Sequence, residues 1–246
     1  MYSWSKLDEK RFGLKTAKLS INSEDLDIPA LVKSFKKQGG QLFIVRCNSI
    51  LNKGIFELQK QGFFLTDTML TFSINPSHFK EKKKKVKGLD ICLAKSEDSE
   101  ALAVLSQKAF KAYKGHYHNN PSLDDQKCSE VYSDWASQLP LKKEMADAVF
   151  IAKIDGAFAG FASLKIADNK TAKAGLLGVD PEYRGKGISQ HLHLWRFNWC
   201  QQNSLEEILV ETSLNNKAYI NILAKTGFKF ISSIQIFHLN VPKIGE

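Results

Sequence analysis

Long apolar runs are missing from this chain. None approaches the about 18 residues that a membrane-crossing helix needs, so no transmembrane helix is expected. The opening segment, Met1-Tyr2-Ser3-Trp4-Ser5-Lys6, has no apolar core and does not read as a signal peptide. Cysteine is scarce. Cys47, Cys92, Cys128 and Cys200 stand far apart with no C-x-x-C pair, which argues against a zinc site or a disulfide framework. Cys47, Cys92 and Cys200 fall in apolar contexts and read as reduced core residues of a cytoplasmic protein. Acidic residues are outnumbered, 26 against 35 Lys and Arg, for a net charge of +9. That excess asks for an anionic partner. Yet its densest run, FKEKKKKVKG from Phe79, has no interleaved aromatics and reads as a solvated linker. With no helix-turn-helix, RRM or zinc-finger pattern, nucleic acid is not the expected partner. The rest, 43% hydrophobic and 25% charged over 246 residues, suits one large domain or two small ones.

The most informative stretch is Leu176–Ser189, LLGVDPEYRGKGIS. An apolar run ends at Val179, Pro181 stops it, and a helix pattern starts at Ile188. Between them Arg184, Gly185, Lys186 and Gly187 make a basic, glycine-rich turn. The first amides of a helix have no internal acceptor and point, with the positive end of the dipole, toward an anion. Glycines let that anion touch backbone, and Arg184 and Lys186 add charge. The spacing excludes a P-loop, since Gly178 is too far from Gly185 and Gly187 follows Lys186. Gln190 stands where a dinucleotide fingerprint needs a third Gly or Ala. A glycine-capped turn without a ligand is the alternative.

After the loop, Ile188, Leu192, Trp195 and Trp199 form one stripe of a helix expected to be buried. Ile208-Leu209-Val210 reads as a short buried strand. Asn216 opens a second helix that ends at Thr226 with Gly227 as its stop, and Phe228 to Leu239 reads as closing strands. Earlier, Ser96-Glu97-Asp98 caps one helix, Leu123-Asp124-Asp125 opens another, and Asp155-Gly156 turns a hairpin. Arg-x-x-Gly-x-Ser in this succession of elements resembles the acyl-CoA loop and C-terminal half of the GNAT superfamily of N-acetyltransferases. Ser189 departs from the family's Gly or Ala. The resemblance implies an α/β (α+β) acyl-CoA N-acyltransferase fold with a mixed central sheet. It implies acetyl-CoA as cosubstrate, with its pyrophosphate on Arg184, Gly185, Lys186, Gly187, Ile188 and Ser189. Leu177 and Val179 would meet the thioester, and Asn216 the pantetheine arm. Asn216 is equally an ordinary helix cap.

Leu58–Asn75 and Leu223–Asn240 align without a gap at Leu, Lys, Gly, Phe and Asn, each after a strand-like run. The first copy has no Arg-x-x-Gly loop. Residues 1–80 therefore read as a degenerate GNAT-like half-domain, 81–88 as a lysine-rich linker and 89–246 as the acetyl-CoA-binding domain. This organisation is similar to the family's sugar-amine members of the dTDP-fucosamine acetyltransferase type. That implies a small amine acceptor, such as a nucleotide-linked amino sugar, and allows a homodimer. A protein or polyamine amine is the alternative acceptor.

Acetyl transfer needs a neutral amine, a donor for the thioester oxygen and a proton for the leaving thiolate. The family's proton-donating Tyr, four residues before the Gly of Gly-Phe, is here Leu223. Tyr219 lies one turn earlier and could substitute only with a shifted ligand. Glu211, at the end of the buried strand, is the candidate base, or else a solvent-facing charge. The missing Tyr leaves open a protein that binds acyl-CoA without transferring the acyl group. His116 and His118 lie in a polar loop that in the sugar-amine relatives lines the acceptor pocket. No third ligand of suitable spacing accompanies them, so no metal is expected. His191 and His193 read as helix-surface residues, and His238 as structural.

Overall fold

The computed structural model describes residues 1–78 and 86–242. Most of the lysine-rich run, and with it the expected linker, falls outside the described residues. In chain order the elements are β1 (Ser3–Trp4), α1 (Lys6–Phe12), β2 (Thr16–Ile21), α2 (Ile28–Lys37), β3 (Leu42–Asn48), α3 (Asn52–Lys60) and β4 (Phe64–Ile74). There follow β5 (Leu89–Leu93), α4 (Ser99–Phe110), α5 (Asp125–Gln138), β6 (Ala148–Ile154), β7 (Ala157–Ile166), β8 (Thr171–Val179), α6 (Ile188–Gln202), β9 (Glu207–Ser213), α7 (Lys217–Thr226) and β10 (Lys229–Asn240). The Asp155-Gly156 turn has both residues at positive φ, 49° and 85°, as a two-residue hairpin between twisted strands requires.

All ten strands form one mixed sheet in the order β1-β2-β3-β10-β4-β9-β8-β7-β6-β5. The two copies of the sequence repeat meet at its centre. Each runs helix, left-handed glycine, strand: α3, Gly62 at φ 88°, β4, and α7, Gly227 at φ 96°, β10. The strands are exchanged. β4, from the first half, pairs with β9, and β10, from the second, pairs with β3, while β4 and β10 pair with each other antiparallel. The arrangement has two-fold pseudosymmetry, with β2, α2 and β3 corresponding to β8, α6 and β9. Both β2–β3 and β8–β9 are parallel.

Helices cover both faces. Beneath α2 and α3, Phe35, Phe43, Val45, Leu58 and Phe237 form one core; beneath α6 and α7, Phe150, Leu192, Phe197, Val210 and Leu223 form another. On the opposite face α4 and α5 pack on Val149, Ile151, Phe161 and Leu176, and α1 with the α4–α5 loop packs on Ile44 and Ile236. The α6 stripe differs from expectation. Trp195 is 38% exposed, whereas His193 and Arg196 are fully buried beside Phe197. His193 is thus a core residue rather than a surface one, because it lies one turn before Arg196 on the inward face. The four cysteines are free; Cys92 is half-buried and the others are buried. Among the described residues no helix is long and apolar enough to cross a membrane.

Two buried histidines make the fold acid-sensitive. Burial depresses His193 well below its usual value and His238 to about 3. Folded, both stay neutral; unfolded, both take up a proton near pH 6.5. The unfolded chain then binds more protons than the native one as pH falls. Stability should be level above pH 7 and decline below pH 6.5, by up to about 1.4 kcal/mol per pH unit for each histidine. Thermal unfolding followed by circular dichroism checks this, and a level midpoint from pH 7 to 5 would contradict it.

Candidate acyl-CoA site

The α6 loop begins where β8 ends. Asp180 caps a short turn, its Oδ1 accepting from the Glu182 amide at 3.0 Å, and its buried carboxylate pairs with Lys108 of α4. Gly185 and Gly187 take φ values of 77° and 85°, which favour glycine over any other residue. Gln190 and His191 donate back to the Gly187 carbonyl and start the helix. Between these fixed points, no backbone carbonyl among the described residues accepts from the amides of Gly185, Lys186, Gly187, Ile188 or Ser189. Arg184, Gly185 and Lys186 are exposed and Gly187 and Ser189 half-exposed, so the loop itself stands open, while Ile188 is buried where the helix starts. The Arg184 side chain is tied down: Nη2 donates to the Ala109 carbonyl at 2.7 Å and Nε to that of Val179 at 3.2 Å. Lys186 Nζ lies 4.9 Å over the Tyr183 ring.

The loop sits at the mouth of a split in the sheet. The parallel β8–β9 ladder runs from Thr171↔Glu207 to Ala174↔Val210 and stops, although both strands continue. At the same place β8 carries a bulge, with Gly175 and Leu176 opposite Ser163 of β7. A Cβ at Gly175 would come within 2.4 Å of the Ser163 hydroxyl, so a larger residue there would have to displace that hydroxyl. Beyond it, the Asp180 amide donates to the Ala159 carbonyl. Alternation along an antiparallel ladder then directs the amides of Leu177 and Val179 away from β7, into the split. Asn216, at the opposite wall, caps α7: its Oδ1 accepts from the Tyr219 amide at 3.4 Å, and its Nδ2 donates to Thr212 Oγ1 at 3.1 Å.

A groove of about 1850 Å³ runs from this split along the sheet toward the first half of the chain. Leu177, Val179, Arg184, Gly185, Gly187, Ile188, Ser189, Asn216, Glu211 and Tyr219 all line it; Lys186 stands outside its lining. Glu211 forms an ion pair with Arg46 of β3. Two strands, β10 and β4, lie between them. At about 4.8 Å per strand, the two long side chains must both extend across the groove floor to meet. Tyr219 turns its hydroxyl inward, 3.4 Å from His193 Nε2, and burial holds its proton more tightly than usual. Leu223 is fully buried. His116 bonds His238 at 3.0 Å, whereas His118 bonds Ser129 at 3.2 Å, so the two loop histidines face different partners.

Sequence reasoning missed three groove residues. Arg46 is one. Asp67 on β4 is another: it is 5% exposed, its Oδ1 accepts from Ser213 Oγ at 2.7 Å and the Thr68 amide at 2.8 Å, and its Oδ2 is buried without a partner among the described residues. Burial raises its affinity for a proton against those two donors. Tyr113, pushed up to about 12 by burial, is the third. Nothing local in the sequence marks these positions, because β3, β4 and the α4–α5 loop meet only through the exchanged strands.

Residues 110–228, slightly less than half of the chain, match the model of the Acetyltransferase (GNAT) family. A GCN5-related N-acetyltransferase from Kribbella flavida is similar over 100% of this chain and 87% of its own, at 13% identity and a TM-score of 0.66. A tandem GNAT protein from the clavulanic acid biosynthesis pathway is similar over 94% of this chain and 77% of its own, at 14% identity and a TM-score of 0.63. A GCN5-related N-acetyltransferase from Sphaerobacter thermophilus is similar over 88% of this chain, at 12% identity and a TM-score of 0.60. This chain spans 66% of that protein's length. No curated protein matches the chain. The fold is the mixed α/β fold of the GNAT proteins, with a GNAT-like region preceding the matched segment. Residues 110–228 are thus similar to the GNAT acetyltransferase family, and the solved structures share the chain's fold.

Proposed function

We propose that this protein is an N-acetyltransferase that moves an acetyl group from acetyl-CoA to a primary amine of a small molecule. The observation that carries the proposal is the set of five amides, Gly185 to Ser189, without a partner among the described residues, at the mouth of an open β8–β9 split. Such a cradle at a helix start fits a diphosphate, and the split beside it fits an extended arm lying between two strands. In this reading the Leu177 and Val179 amides take the thioester oxygen as charge builds there. Asn216 holds the arm while capping α7. Glu211, released from Arg46, receives the amine proton through water. Leu223 offers no proton, so the thiolate is protonated from solvent. A nucleotide-linked amino sugar is the acceptor class to test first, on the resemblance to sugar-amine enzymes.

A second reading is an acyl-CoA-binding module without transfer. Leu223 in the acid's position, and the Tyr219 hydroxyl directed at His193, favour it. One experiment separates the two. Calorimetry with acetyl-CoA is followed by a free-thiol assay against amino sugars and their nucleotide conjugates, polyamines and lysine peptides. The transferase reading expects binding and thiol release with one amine class. Binding with no release across the panel supports the module, and absence of binding removes both readings.

A further inference from the structure

Arg196 is fully buried in α6, and among the described residues no carboxylate pairs with it. A guanidinium in that position is expensive unless its surroundings are built for it. Its Nη2 donates to three carbonyls: Ser163 at 2.8 Å, Gly175 at 3.3 Å and Leu176 at 2.8 Å. These are the three members of the β-bulge. Gly175 and Leu176 are also the first two residues beyond the last β8–β9 pair. Nε and Nη1 are buried without a hydrogen-bond partner of good geometry among the described residues, and the Tyr219 hydroxyl is the polar group that interacts with the rest of the guanidinium, so the bulge carbonyls take its defined hydrogen bonds.

The first half of the chain supplies an internal comparison. There the corresponding strands β2 and β3 stay paired along the whole of β2, from Thr16↔Leu42 to Ile21↔Cys47, with no break in register. The corresponding helix, α2, buries Ile28, Val32 and Phe35 and no charged group. Where the guanidinium is absent the ladder is closed; where it is present the ladder opens. We infer that Arg196 is a positioning residue that holds the β8–β9 split open for the acyl-CoA arm by taking the bulge carbonyls out of the ladder. It never touches the ligand. It fixes the strand whose next amides, Leu177 and Val179, face the split. This rests on the reading of the split as an acyl-CoA site.

The test compares two probes on the wild-type chain, R196K and R196M. Acetyl-CoA needs both cradle and split; adenosine 3′,5′-bisphosphate carries only the nucleotide head. Loss of charge-assisted hydrogen bonds at the bulge should raise the acetyl-CoA Kd of R196M about 30-fold, with partial recovery in R196K. The bisphosphate Kd should stay within about two-fold in both variants, because the α6 loop is left intact. Unchanged acetyl-CoA binding in R196M overturns the inference. So does equal loss of both probes, which marks a general structural role. If R196M does not fold, R196K decides on the same two ratios, and failure of both to fold assigns Arg196 to the core alone. A wild-type chain that binds neither probe removes the acyl-CoA reading itself, which is a different result from any of these.

Discussion

Gly187→Asp should abolish measurable acetyl-CoA binding while leaving the fold intact. Gly187 is the cap of α6 at φ 85°, half-exposed at the mouth of the split. Asp is among the better residues at a helix cap and tolerates left-handed backbone better than most. Its charge also favours the helix dipole. Left-handed backbone at φ 85° costs a non-glycine residue about 1–2 kcal/mol, so stability should fall by no more than about 2 kcal/mol. The same carboxylate lies among the five amides proposed to hold a diphosphate. Two like charges about 4 Å apart near a protein surface repel by several kcal/mol, and each 1.4 kcal/mol is about tenfold in affinity. A loss of at least about 100-fold follows. Calorimetry with acetyl-CoA, alongside a thermal melt, measures both quantities. Retained affinity would show that the anion is not held at this loop.

Removing residues 1–85 should leave a chain that does not fold. β4 is hydrogen-bonded on both sides, to β9 and to β10. Its Phe72 and Ile74 belong to the apolar cluster that includes Val210, Leu223 and Phe228. Burying one such side chain contributes about 1.5–3 kcal/mol, against a total stability of about 5–15 kcal/mol for a native domain. Without β4, the β9 edge and the α6–α7 core are exposed together. Fragment 86–246 should show no cooperative melt and no acetyl-CoA binding. Co-expression with fragment 1–85 should restore both. A soluble, binding-competent 86–246 alone would refute the idea that the exchanged strand is required.

Part of this structure was legible in the residues and part was not. The loop was, because two glycines, an arginine and a following helix are a local pattern with a local cause. The repeat was visible too, since its glycines end two helices for the same backbone reason. The exchange was not, because which strand lies beside β9 depends on pairings far apart in sequence. Periodicity placed Trp195 inside and passed over Arg196, since an apolar ring outranks a charge on any hydropathy scale. The charge is buried only because three bulge carbonyls await it, and those come from two other strands. Asp67 was silent for a similar reason: its neighbour Ser213 is 146 residues away. Glu211 was named as a candidate base from its place at a strand end, but its pairing with Arg46 across β10 and β4 has no local signature.

The crossing of β4 and β10 also sets a schedule for the growing polypeptide. β3 and β4 are made early, yet the strand that lies between them is synthesised about 150 residues later. At ribosomal rates of about 5–20 residues per second, two open edges wait for some ten seconds or more. Such edges attract foreign strands, and long-range pairings close slowly. This architecture therefore ties successful production of the protein to shelter of its first half until the final strand emerges.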